Sequence, residues 1–66
     1  MPDPLSGREI IIEFYSIGPL VKVSAVDVLT MTEISIQGPA SAGDAILKKN
    51  ALNRLTYILR KKGLIV

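Results

Sequence analysis

Apolar and polar residues alternate along Glu9–Ile17. Ile10, Ile12 and Phe14 fall on one side, and Ile11, Glu13 and Tyr15 on the other. A period of two predicts a strand with one wholly apolar face and one mixed face, and the β-branched and aromatic residues suit it. Gly18-Pro19 interrupts the pattern. Glycine supplies the positive φ of the first central position of a type II′ turn, and proline fits the next. Alternation resumes over Leu20–Asp27, with Val21, Val23 and Ala25 on the apolar side and Leu20, Lys22, Ser24 and Val26 opposite. A two-residue turn fixes the register. Phe14 faces Val23 and Ile12 faces Ala25 inside, while Tyr15 faces Lys22, Glu13 faces Ser24 and Ile11 faces Val26 outside. A slip of one residue would mix the two faces.

A third strand is predicted over Glu33–Gln37, with Ile34 opposite Ala25 and Ile36 opposite Val23. This leaves Val28–Met31 as a loop that is unusually apolar and lacks glycine. Gly38-Pro39 ends the strand. Ser41 then reads as a helix N-cap with Asp44 as its capping-box partner, opening a helix from Ala42 to Lys62 that stops at Gly63. Leu47, Ala51, Leu52, Leu55, Ile58 and Leu59 form one stripe on that helix. The expected fold is α+β: a three-stranded antiparallel β-meander followed by one C-terminal amphipathic helix on one sheet face (β-β-β-α). Residues 1–8 read as a flexible leader, 9–63 as the domain and 64–66 as a short tail.

The 66 residues allow one domain at most. The chain has neither Cys nor His. It therefore lacks disulfides, thiolate ligands, the commonest metal ligand and the usual general base. No metal or cofactor is expected. Glu9, Glu13, Asp27 and Glu33 could do acid–base work only around a cleft that nothing in the sequence implies. The serines have no histidine to activate them, so the chain reads as no enzyme. Met1–Arg8 lacks a basic region followed by a long apolar run, and no apolar run reaches the length of a spanning helix. A cytoplasmic protein with no membrane partner is expected. A domain this small gains from extra burial, which favours a homodimer.

Charge is unevenly distributed. Ala42–Gly63 carries six basic residues against Asp44, a net of +5, while residues 1–41 carry a net of −3. Lys48, Lys49, Arg54, Arg60 and Lys61 make a basic helix face that could track the phosphates of a nucleic acid. The outer sheet face points elsewhere. Ile11, Tyr15, Ile17, Leu20 and Val26 make it more apolar than a solvated face should be. Tyr15 is its best anchor for a second copy or another protein, and edge pairing between chains is a second route to a dimer. Tyr57 lies with Ile46 on a helix side stripe that also suits a partner surface.

The strand order with Lys48-Lys49 early in the helix resembles the C-terminal part of double-stranded RNA-binding domains. There, lysines at that place contact phosphates, but the family's first helix has no counterpart here. The whole pattern resembles a family of short uncharacterised alphaproteobacterial proteins, a domain of unknown function. The matching residues are Gly18 with Val21-Lys22-Val23-Ser24-Ala25 and Asp27, Thr32-Glu33-Ile34-Ser35-Ile36 with Gly38-Pro39-Ala40, and Leu47-Lys48, Ala51, Leu55, Tyr57 and Leu59. That resemblance implies a bacterial intracellular protein and a glycine-containing turn where this chain has Leu29–Met31. It implies no activity, ligand or catalytic residue.

Overall fold

A computed structural model describes residues 3–66. Strands β1 (Ile10–Ile17), β2 (Leu20–Asp27) and β3 (Thr32–Pro39) precede a 3-10 turn at Ala40–Ala42 and helix α1 (Asp44–Lys61). The sheet is antiparallel in the order β1-β2-β3, with α1 packed on β2 and β3. The expected β-β-β-α architecture is the observed one, and so is its register. Phe14 pairs with Val23, Ile12 with Ala25 and Tyr15 with Lys22 across the first hairpin. Ile34 pairs with Ala25 and Ile36 with Val23 across the second. Gly18 carries the positive φ, 58°, that the tight turn needs.

The core lies between the inner faces of β2 and β3 and the helix stripe. Val23, Ala25, Leu47, Ala51, Leu55 and Leu59 are buried, and Ile10, Ile12, Ile34, Ile36 and Leu52 pack around them. α1 closes in a Schellman arrangement: Leu64 N–H donates to Leu59 O at 2.9 Å and Gly63 N–H to Arg60 O at 3.0 Å. Gly63 stands at φ 74°.

Three local features differ from expectation. β3 runs on through Gly38-Pro39, which pair with Val21 and Leu20. Proline is tolerated because β3 is an edge strand, and Gly38 is required because a Cβ there would run into the Leu47 side chain. Ser41 is not the N-cap. It lies in the 3-10 turn, and Gly43 (φ 87°) caps α1 with no side-chain bond. Thus Ser41 and Asp44 form no capping box, and the helix starts at Asp44 rather than Ala42. Finally, Phe14 faces inward as expected but remains 40% exposed, because α1 leaves the inner face of β1 largely bare.

Of the leader, residues 1 and 2 lie outside the described residues. Leu5 is buried in the core, and its backbone N–H donates to Asp3 Oδ1 at 2.8 Å. The leader thus occupies space beside β1 that the helix does not reach.

Candidate interaction surface

β1 is built from Ile-Ile-Ile-Glu-Phe-Tyr-Ser-Ile, and it lies at the sheet edge. Its odd residues point outward and its even residues inward. On the outer face the register sets four rungs: Ile17–Leu20–Pro39, Tyr15–Lys22–Gln37, Glu13–Ser24–Ser35 and Ile11–Val26–Glu33. Ile11 and Tyr15 are each 45% exposed, Ile17 54% and Leu20 42%. Val26, the fifth predicted outer residue, is half-buried. The apolar excess is therefore not spread over the face. It gathers along β1 and the hairpin end, and the centre is small and polar, with Ser24 buried between its neighbours.

The free edge of β1 follows from one bond. Val28 N–H donates to Glu9 O at 3.1 Å. Bonded and non-bonded pairs alternate in an antiparallel ladder, so odd residues of β1 bond to β2. Ile10, Ile12, Phe14 and Ser16 turn their N–H and C=O groups to the open side. β1 has no proline, lysine or bulge; of the devices that protect an edge it carries only the Glu13 charge and, toward Ile10 and Ile12, the neighbouring leader.

Charged groups modify the surface at Tyr15. Lys22 Nζ stands 6.0 Å from the centre of its ring. The neighbouring Glu13 carboxylate, with lesser contributions from desolvation and Glu33, raises the phenol above its ordinary pKa of 10.0.

The basic helix residues lie on the opposite side of the molecule. Lys48, Lys49, Arg54, Arg60 and Lys61 are exposed. Arg54 and Lys61 both stand against the Tyr57 ring, at 5.5 and 5.9 Å from its centre. Arg60 Nε donates to Val66 O at 3.1 Å, and Lys48 lines a groove beside the leader with Ile10, Ile12 and Leu52. Three of the five thus have partners within the chain: Arg54 and Lys61 engage Tyr57, and Arg60 engages Val66. Ile46 is exposed, as is Tyr57.

Sequence reasoning missed one cluster. Arg8 Nη1 pairs with Asp27 Oδ2 at 2.8 Å, and Arg8 Nη2 donates to Leu64 O at 3.2 Å. The Thr30 hydroxyl donates to the same Asp27 oxygen at 2.6 Å and lies 2.8 Å from the Thr32 hydroxyl. Asp27 is 0% exposed, and its Oδ1 has no hydrogen-bond partner among the described residues. The cluster ties the leader, the β2–β3 loop and the C-terminal tail together. Its sequence signal, an arginine before a strand and an aspartate at the end of the next, is too common to single out.

Two open grooves flank the leader, of about 580 and 350 Å³. Glu9, Glu13, Asp27 and Glu33 line neither. Among the described residues no group of three or more acidic residues could hold a metal ion, and no helix is long and apolar enough to cross a membrane.

A family model described as Domain of unknown function (DUF6898) matches residues 7–62. No curated protein and no solved structure matches the chain.

Proposed function

The chain belongs to the DUF6898 family of domains of unknown function, and from its geometry we propose that it is a small protein-interaction domain that self-associates through the outer face of its sheet. One observation carries the reading: Tyr15, Ile17 and Leu20 stand exposed together on the side that α1 does not cover, with Ile11 exposed one polar rung further along. Single exposed apolar residues are ordinary, but a contiguous group rimmed by polar residues marks an interaction surface. The chain exposes 4528 Å² in all. A standard interface takes about 800 Å² from each partner, a little under a fifth of that area.

Sedimentation velocity over a concentration series tests the proposal. The expected species at high concentration has twice the chain mass, and Tyr15→Ser together with Ile11→Ser shifts it to single chains. A single chain at every concentration, or a pair indifferent to both substitutions, would refute it. The exposed basic helix residues support the alternative, nucleic-acid binding. That reading predicts duplex binding that weakens steeply with salt, and no binding at low salt removes it.

A further inference from the structure

We infer that two copies join edge to edge through β1, forming one continuous six-stranded antiparallel sheet with Phe14 on the two-fold axis. The inference rests on the self-association proposed above, but routes it through the edge of β1 rather than through the sheet face, and gives that edge a register.

The edge supplies the first argument. Ile10, Ile12, Phe14 and Ser16 direct unpaired backbone groups outward along a strand of eight residues, a template for another strand. A two-fold axis perpendicular to the sheet keeps inner faces with inner and outer with outer. One residue of β1 must then face its own copy.

Side-chain chemistry selects that residue. With Glu13 on the axis, two carboxylates stand directly opposite, which destabilises the pair, and Ile17 meets Glu9. With Ile12 on the axis, Ile11 meets Glu13, and Ile17 falls beyond the partner strand. With Tyr15 on the axis, Ile17 meets Glu13, and Ile11 falls beyond it. With Phe14 on the axis, seven residues of each strand pair, no two carboxylates stand opposite, and the one apolar residue set against a polar one on the inner face is Ile12 against Ser16. Ile17 faces Ile11 of the second copy, so the exposed row Leu20–Ile17 continues into Ile11–Val26 across the seam. Glu13 faces the second copy's Tyr15, whose hydroxyl can donate to the carboxylate. On the inner face the two Phe14 rings adjoin, which covers an aromatic residue that α1 leaves 40% exposed.

The helices permit this approach. α1 packs over β2 and β3, so the two helices would stand about four strand spacings apart, roughly 19 Å. Helices about 10–12 Å across fit without collision.

Because the chain contains no cysteine, a single-cysteine scan reads the register directly. I12C, E13C, F14C and Y15C each test one axis position under mild oxidation. In the inferred register only F14C places its two Cα atoms about 5.5 Å apart, within the reach of a disulfide. E13C and Y15C sit on diagonals of about 7–8 Å, at or beyond the disulfide limit of about 7 Å. F14C is expected to cross-link fastest, and a mixture of I12C with S16C to give the cross-linked heterodimer. The mixture leaves Phe14 in place, so the register remains testable if F14C unfolds. Fastest linkage at position 12, 13 or 15, or no linkage by either route while sedimentation shows a pair, overturns the register and leaves self-association standing. A single chain throughout overturns both.

Discussion

Arg8→Ala should cost this domain a large share of its stability. The substitution removes one partner of an ion pair whose carboxylate, Asp27, is 0% exposed and whose arginine side chain is 16% exposed. Breaking a buried pair from one side typically costs about 3–5 kcal/mol, because the remaining charge is left uncompensated. Here the Thr30 hydroxyl still donates to Asp27 Oδ2, and removing the arginine stem opens a path for water. A loss of about 2–3 kcal/mol is therefore expected, below that range. For a chain of 66 residues, total stability is on the order of 3–10 kcal/mol, so the loss is decisive. It corresponds to roughly 8–24 °C in the thermal midpoint of a domain this size. Far-ultraviolet circular dichroism on heating, checked by urea unfolding, measures it. Arg8→Lys should recover only part, because a single ammonium cannot match the fork that reaches both Asp27 and Leu64 O. A loss of under about 0.5 kcal/mol in Arg8→Ala, the size of an exposed pair, would refute the reasoning, as would full rescue by lysine.

Met31 holds a left-handed backbone at φ 56° while its side chain is exposed, so Met31→Gly should stabilise by about 1 kcal/mol, read as a higher thermal midpoint. Gly38→Ala drives a methyl into Leu47 and should destabilise by about 1–3 kcal/mol through overpacking; urea unfolding measures it. Glu13→Gln should lower the Tyr15 phenol toward 10.0, since Glu13 is the main cause of its raised value. Phenolate absorbance in a Tyr57→Phe background reads the shift. The sign follows from the raised folded pKa: the Tyr15–Glu13 contribution is present below the unfolded pKa and is lost as pH rises through the folded one.

The register was legible in the sequence because two independent signals agreed. The Gly18-Pro19 turn fixed the pairing, and the alternation of Ile12, Phe14, Val23 and Ala25 fixed the faces. Helix content was legible from the stripe that buries Leu47, Ala51, Leu55 and Leu59. The cap was not, because Ser41 and Gly43 both suit a helix start, and the chain takes Gly43, at φ 87°, after a 3-10 turn at Ala40–Ala42. The β2–β3 loop kept its expected length, but nothing local showed that Asp27 would reach Thr30 and Arg8. Met31 stands in a backbone conformation that favours glycine, where the family resemblance implied a glycine-containing turn. Four of the five outer-face residues proved exposed, yet alternation alone could not show that their apolar character gathers at an edge. That depends on where the helix sits.

The position of the helix connects these features. A helix is about 10–12 Å wide, and three strands at about 4.8 Å spacing span a comparable width. With α1 centred over β2 and β3, the inner face of β1 falls outside its cover. Leu5 fills part of that gap, and Arg8 reaches the buried Asp27 at the end of β2 to hold the leader there. Phe14 lies just past the middle of β1, where the grooves beside the leader do not extend. The same shortfall of cover thus accounts for a charged clasp at one end of the strand and an exposed aromatic ring toward the other. The leader packs a single leucine into the core, and Phe14, Tyr15 and Ile17 stay exposed on a strand whose outward backbone groups run its whole length, from Ile10 to Ser16.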